Sequence, residues 1–218
     1  MKISQSLCNI MEQMPAFRFF YPVVVSKVLE GRTVFAKRQN QVWHPFPAVI
    51  TETESWHLLH DVAEGLAYLH AKTPPVIHQD IKPDNILIND ENRYMITDFG
   101  ISARIRSTLR RNQGQESSGG TLAYMGPERF GPSPAPIMAS DIWSLGATMY
   151  ELLTGMPPYG DHGGVLQKNG ADIPLINEDF SQELKDIIYK CLALNPWDRP
   201  TARQIAATTI TFLRFPLS

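Results

Sequence analysis

The stretch "SDIWSLGATMYELLTG", residues 140–155, limits the fold more than any other part of this sequence. It reads as a helix that is apolar on most faces, and such a helix has to be enclosed by protein on nearly every side. Ser140 is the expected N-cap and Gly155 the expected C-terminal stop. Enclosing it takes apolar material from elsewhere in the chain. With 218 residues, 43% of them hydrophobic, this chain can supply a sizeable core in one or two domains.

The enclosing elements can be read in turn. Thr51 and Glu54 fit a capping box, after which Leu59, Val62, Ala63, Leu66 and Leu69 recur at helical spacing. The paired prolines of "AKTPP" end that helix. Two short apolar runs, "NILIND" and "RYMITDFG", joined across "DEN", predict a hairpin. A helix is expected after Ser181, with Leu184, Ile187, Ile188, Cys191 and Leu192 on one face. A last one starts at Thr201, with Gln204 completing a second capping box. Cys191 on that apolar stripe is a packing residue. The polar, basic "RIRSTLRRNQGQESSGG" is expected to be a mobile surface loop. Residues 1–50 are richer in aromatic and β-branched residues, with a strand–turn–strand expected in "VVVSKVLEGRTVFAKR".

Charge and targeting signals narrow the function classes. A formal net charge of −2 and no basic stripe give no footprint for nucleic acid. Arg18 and Lys27 bracket an apolar run too short to span a bilayer, so "FRFFYPVVV" reads as buried strand and no membrane span is expected. The two cysteines, Cys8 and Cys191, read as free thiols in a reducing compartment, and the expected location is cytoplasmic.

The chemistry concentrates in "HQDIKPDN", residues 78–85. Asp80 and Asn85 flank Lys82 on a turn after a helix, and Asp98 follows an apolar strand. Carboxylate and amide oxygens are hard ligands suited to Mg²⁺, and Lys82 adds a point charge suited to a phosphoryl group. Phosphoryl transfer needs such a set, because its catalysis is mostly positioning and charge neutralisation.

"HQDIKPDN", "TDFG", "GTLAYMGPE", "SDIWSLG" and "NPWDRP" occur in the order and spacing of a protein kinase catalytic lobe. The resemblance, to the eukaryotic-type serine/threonine protein kinases, covers roughly Thr51 to Ala207. It implies an α+β kinase-like fold: a mainly α-helical C-lobe over 51–218, preceded over 1–50 by a short, incomplete β-rich remnant of an N-lobe or an unrelated cap. It also implies ATP and Mg²⁺ as cofactors and a protein substrate with a Ser or Thr hydroxyl. Asp80 would take the substrate proton, Lys82 would stabilise the transferring phosphate, and Asn85 and Asp98 would hold Mg²⁺, with Phe99 and Gly100 behind the metal. Leu87 and Thr97 match positions on the floor of the nucleotide pocket. Asp141 would anchor the catalytic turn, and Glu128 and Arg199 would pair. Lys82-Pro83 and Thr121 resemble the serine/threonine branch rather than the tyrosine branch.

Three departures from the family pattern stand out. Gln79 replaces an arginine that pairs with a phosphorylated loop, so loop phosphorylation is not expected to be the main switch, although Ser107, Thr108, Ser117 and Ser118 remain targets. Gly126 replaces an alanine, with little effect expected. Gly31 is the only glycine before Gly65, so no G-x-G-x-x-G precedes the helix at Thr51. Only 13 residues separate Lys37 from Thr51, too few for a helix of about 11 residues and two strands of about 5, so it does not match the strand lysine. Two functions follow: a serine/threonine kinase, or a pseudokinase or truncated lobe acting as a binding module. The incomplete N-lobe side leaves room for a partner to cover it.

Overall fold

The computed structural model describes residues 50–88, 93–97, 122–131 and 137–214. The expectations for residues 1–49, the loop 104–120, Thr121, and Asp98, Phe99 and Gly100 lie outside them.

Helix α1 spans Glu52–His70 and starts where the capping box placed it. Thr51 Oγ1 accepts the Glu54 N–H at 3.2 Å, and the Glu54 carboxylate accepts the Thr51 N–H at 3.0 Å, so two orphan donors are satisfied reciprocally. Leu58, Leu59, Val62, Ala63 and Leu66 are fully buried. Strands β1 (Ile86–Ile88) and β2 (Tyr94–Ile96) pair antiparallel, with Ile86 opposite Ile96 and Ile88 opposite Tyr94. The pair is pinned to α1, since the Tyr94 N–H donates to Asp61 Oδ2 at 2.9 Å.

Helix α2, Met138–Thr154, is the buried centre: every residue from Ser140 to Tyr150 is enclosed. Gly155 ends it in the left-handed conformation, φ 89°, with its N–H on Glu151 O at 2.7 Å. Its start differs from expectation. The N-cap is Ile137, and Ser140 is the third helical residue, whose Oγ accepts the Ile137 N–H at 3.3 Å. Met138 and Ala139 are good helix formers, so the helix extends back past the serine, which caps from inside.

Short helix α3, Gly164–Lys168, was not anticipated; five residues opening on a glycine give no periodic signal. Helix α4, Gln182–Cys191, is N-capped by Ser181, which accepts the Leu184 N–H at 3.3 Å. It packs so closely on α2 that a Cβ at Gly146 would lie 2.9 Å from Cys191 Cβ. Burial pushes the Cys191 thiol up to about 12, as suits a packing residue. Helix α5, Ala202–Arg214, begins at the second capping box, with Gln204 Oε1 accepting the Thr201 N–H at 2.8 Å.

Helix α5 closes back onto α1, where Trp56 stacks on Phe212 with centroids 4.2 Å apart. One turn back along α1, Glu52 accepts the Trp56 indole N–H at 3.2 Å and the Ser181 N–H at 2.9 Å, joining the starts of α1 and α4. Burial opposes charge on Glu52, but the bonds from Ser181 outweigh it and hold the carboxyl below its ordinary value. The fold is α+β, with a small two-stranded sheet beside a helical core. Among the described residues no helix is long and apolar enough to cross a membrane.

Candidate active site

The site is built on one buried carboxylate. Asp141, at the start of α2, is fully buried. Its Oδ2 accepts the His78 N–H at 2.8 Å, and its Oδ1 accepts the Gln79 N–H at 2.7 Å. His70, the last residue of α1, places Nε2 2.9 Å from Oδ2. A buried charge needs such a set of donors, since an unpaired one is expensive. Gln79 sits at φ 70°, a region costing an L-residue roughly 1–2 kcal/mol. The charge-assisted bond to its N–H offsets that strain and turns the chain so that Asp80 follows.

His78 ties this turn to the hairpin. Its Nδ1 lies 3.3 Å from the Asp80 N–H and so accepts, which leaves the hydrogen on Nε2 to donate to Thr97 O at 3.0 Å. Thr97 in turn donates its N–H and its hydroxyl to Asn85 O, at 2.8 and 3.2 Å. Thr97 directly precedes Asp98, which lies outside the described residues.

Asp80, Lys82 and Asn85 are brought together. Asn85 Nδ2 donates to the Asp80 carbonyl at 2.7 Å and to Asp80 Oδ2 at 2.9 Å. Lys82 Nζ lies 3.3 Å from the same Oδ2. Among the described residues nothing bonds Asp80 Oδ1 or Asn85 Oδ1, so each residue keeps one oxygen for a ligand. Leu87, in the middle of β1, is buried opposite Met95.

This donor set fits Mg²⁺: turning Nδ2 inward leaves the hard Oδ1 of Asn85 as that amide's ligand atom. A second cluster, His60, Asp61 and Glu64 on α1, also gathers ligand atoms within 4.8 Å. There the Arg93 guanidinium already supplies the cation, 2.7 Å from Asp61 and 3.4 Å from Glu64.

Residues 122–131 form a second irregular segment against α2. Glu128 and Arg199 pair bidentately at 3.0 and 2.8 Å, and the remaining Arg199 donors reach Ala139 O, Ala193 O and Leu194 O at 2.8, 2.8 and 3.2 Å. All five N–H groups are used. Burial alone would raise the Glu128 carboxyl, but Arg199 outweighs it and holds the group below its ordinary value. The Tyr124 hydroxyl donates to Glu151 at 2.5 Å. Burial and then the Glu151 carboxylate push that hydroxyl far above its ordinary range, and burial also raises Glu151.

Gly126 is less neutral than expected: a Cβ there would lie 2.7 Å from both Glu128 carboxylate oxygens, which Arg199 holds in place. Sequence reasoning passed over His70, Ser144, Tyr124, Glu151, Gly163 and Gly164. Each acts through a contact distant in sequence, and only the glycine pair carries a local signal, its refusal of side chains.

Comparison with known proteins agrees with the geometry. A family model described as the protein kinase domain matches residues 19–210, so the match begins ahead of Thr51. The mitogen-activated protein kinase kinase kinase YODA of Arabidopsis thaliana is 39% identical over 148 residues, covering 66% of this chain and 16% of that protein. The serine/threonine-protein kinase TOUSLED of the same organism is 30% identical over 171 residues, covering 72% of this chain and 25% of that protein. The mitogen-activated protein kinase kinase 1c of Physcomitrium patens is 33% identical over 207 residues, covering 86% of this chain and 55% of that protein. The chain thus spans from 16% to 55% of the length of these relatives. With the family model covering most of its length, this chain belongs to the protein kinase family.

Proposed function

We propose that this chain transfers the γ-phosphate of ATP to a serine or threonine hydroxyl of a protein substrate. The observation that carries the reading is the arrangement of Asp80: Asn85 and Lys82 both engage Oδ2, which leaves Oδ1 to a substrate hydroxyl. In the proposed step, Asp80 Oδ1 takes the hydroxyl proton as the substrate oxygen attacks the γ-phosphorus. The bond to the ADP oxygen breaks, and phosphoprotein and ADP leave. Lys82 Nζ, 3.3 Å from Asp80 Oδ2, would balance charge on the transferring group. Asn85 Oδ1 and Asp98 would hold Mg²⁺, which when bound neutralises phosphate oxygens. Leu87 and Thr97 would floor the nucleotide site. Residues 51–218 are read as the C-lobe and residues 1–50 as a short β-rich remnant of an N-lobe or an unrelated cap.

A second reading is favoured by the missing G-x-G-x-x-G and strand lysine before Thr51: a kinase lobe that docks a partner without turnover. One experiment separates them. The chain is incubated with γ-labelled ATP, Mg²⁺ and a generic protein substrate, and the labelled amino acid is identified. Label on serine or threonine supports the kinase reading. Label on tyrosine overturns the serine/threonine assignment, and no Mg²⁺-dependent label selects the binding module.

A further inference from the structure

Two adjacent glycines stand outside the catalytic turn: Gly163, the N-cap of α3, and Gly164, its first residue. Gly163 has φ 59° and ψ −155°, a conformation essentially reserved for glycine. A Cβ there would lie 2.0 Å from Leu122 O. Gly164 carries no left-handed constraint, yet its Cβ would lie 2.4 Å from Pro127 N and 2.8 Å from Gly126 C. The obstructing atoms are backbone and the Cδ of the closed Pro127 ring, so no side-chain rotation can make room. The Gly164 N–H also donates to Met125 O at 2.9 Å, which gives the contact a direction.

The opposite side of the same segment rests on α2, where Ser144 Oγ donates to Tyr124 O at 2.6 Å. Residues Leu122–Pro127 are therefore clamped between an inner jaw, α2, and an outer jaw made of two glycines. Lys168, on α3, donates to Phe130 O and holds the outer jaw in place. None of these contacts involves Asp80, Lys82 or Asn85.

We propose that the Gly163–Gly164 step is a positioning element that sets where Leu122–Pro127 meets a protein substrate. The proposal rests on the kinase reading, which makes this the substrate-side loop. Displacing the outer jaw moves the platform for the protein while leaving the hydrogen bonds of the catalytic turn intact. Its effect falls on the protein substrate and not on ATP.

The test compares the full chain with Gly164→Ala, using Gly170→Ala as a control, because Gly170 has φ 94° but its Cβ would meet nothing within 4 Å. Gly164→Ala is expected to raise KM for the protein substrate about tenfold, with kcat and KM for ATP within about twofold. Amide exchange at residues 123–129 is expected to accelerate about tenfold while α2 is unchanged, and Gly170→Ala is expected to do neither. Unaltered protein KM and exchange would overturn the proposal, as would an equal loss in kcat and both KM values.

If the parent transfers no phosphate, the kinase reading fails and exchange alone decides: acceleration confined to the loop upholds the positioning, and none overturns it. Should Gly164→Ala fail to fold, Lys168→Met loosens the same jaw without added bulk. Acceleration of about threefold in the loop then supports the proposal, and unchanged exchange rejects it.

Discussion

In the catalytic turn, residues 78–85, the first two backbone N–H groups both donate to one fully buried carboxylate, Asp141, which also meets a histidine. In the loop 122–131 the holding is divided among an ion pair, two serine or tyrosine hydroxyl bonds and a glycine contact. Both segments are irregular backbone lying against helix α2. The difference teaches how each can vary. A turn whose entry hangs on one buried charge loses that entry when the charge is removed, even though the His78, Thr97 and Asn85 bonds farther along it remain. A loop fixed at several points can lose one of them and shift by degrees, which suits a surface that has to match different partners.

The largest effect is expected at Asp141, which holds the entry to the catalytic turn. Asp141→Ala strands the His78 and Gln79 amides and leaves Gln79 in a strained conformation with no compensation. A loss of about 3–5 kcal/mol is expected, read as a lower urea midpoint. Asp141→Asn, which keeps oxygen at one position only, should fall between it and the parent.

Glu128→Gln comes next, because Arg199 retains three carbonyl partners: about 2–3 kcal/mol is expected. This pair also sets an acid limb. The folded Glu128 carboxyl lies below the ordinary 4.5, so its contribution is fully present above that pH and is lost as pH falls through the folded value. A melting series below pH 5 should therefore be flatter in Glu128→Gln than in the parent.

The smallest effect is expected from Ser144→Ala, about 1 kcal/mol, with the Tyr124–Gly126 amides exchanging faster and the catalytic turn unmoved. A loss as large as that of Asp141→Ala would show that the loop also depends on one point.

What the sequence made legible follows the range of the interactions. Both capping boxes, the N-cap at Ser181 and the glycine stop at Gly155 lie within four residues of their partners, and each could be read directly. The hairpin was legible from its two short apolar runs, whose paired residues lie six to ten positions apart. Ser140 misled because a serine three residues into a helix caps as well as one before it, and only the backbone distinguishes them. Asp141 was assigned through family resemblance alone. Nothing local marks it, since its partners His70, His78 and Gln79 lie more than sixty residues away. Tyr124 with Glu151, and the outer glycine jaw, are long-range contacts of the same sort. They depend on how two segments approach, which no periodicity encodes.

Asp80, with Oδ2 engaged by Asn85 and Lys82, is proposed to offer Oδ1 to a substrate hydroxyl. The most direct test is Mg²⁺-dependent phosphate transfer by the parent and by Asp80→Asn, with melting curves confirming that both are folded. An amide can still accept a hydrogen bond at this position but is a far weaker base. Transfer by the parent is expected, with a loss of about a hundredfold or more in kcat for Asp80→Asn at little change in stability. Equal rates in the two proteins would contradict it.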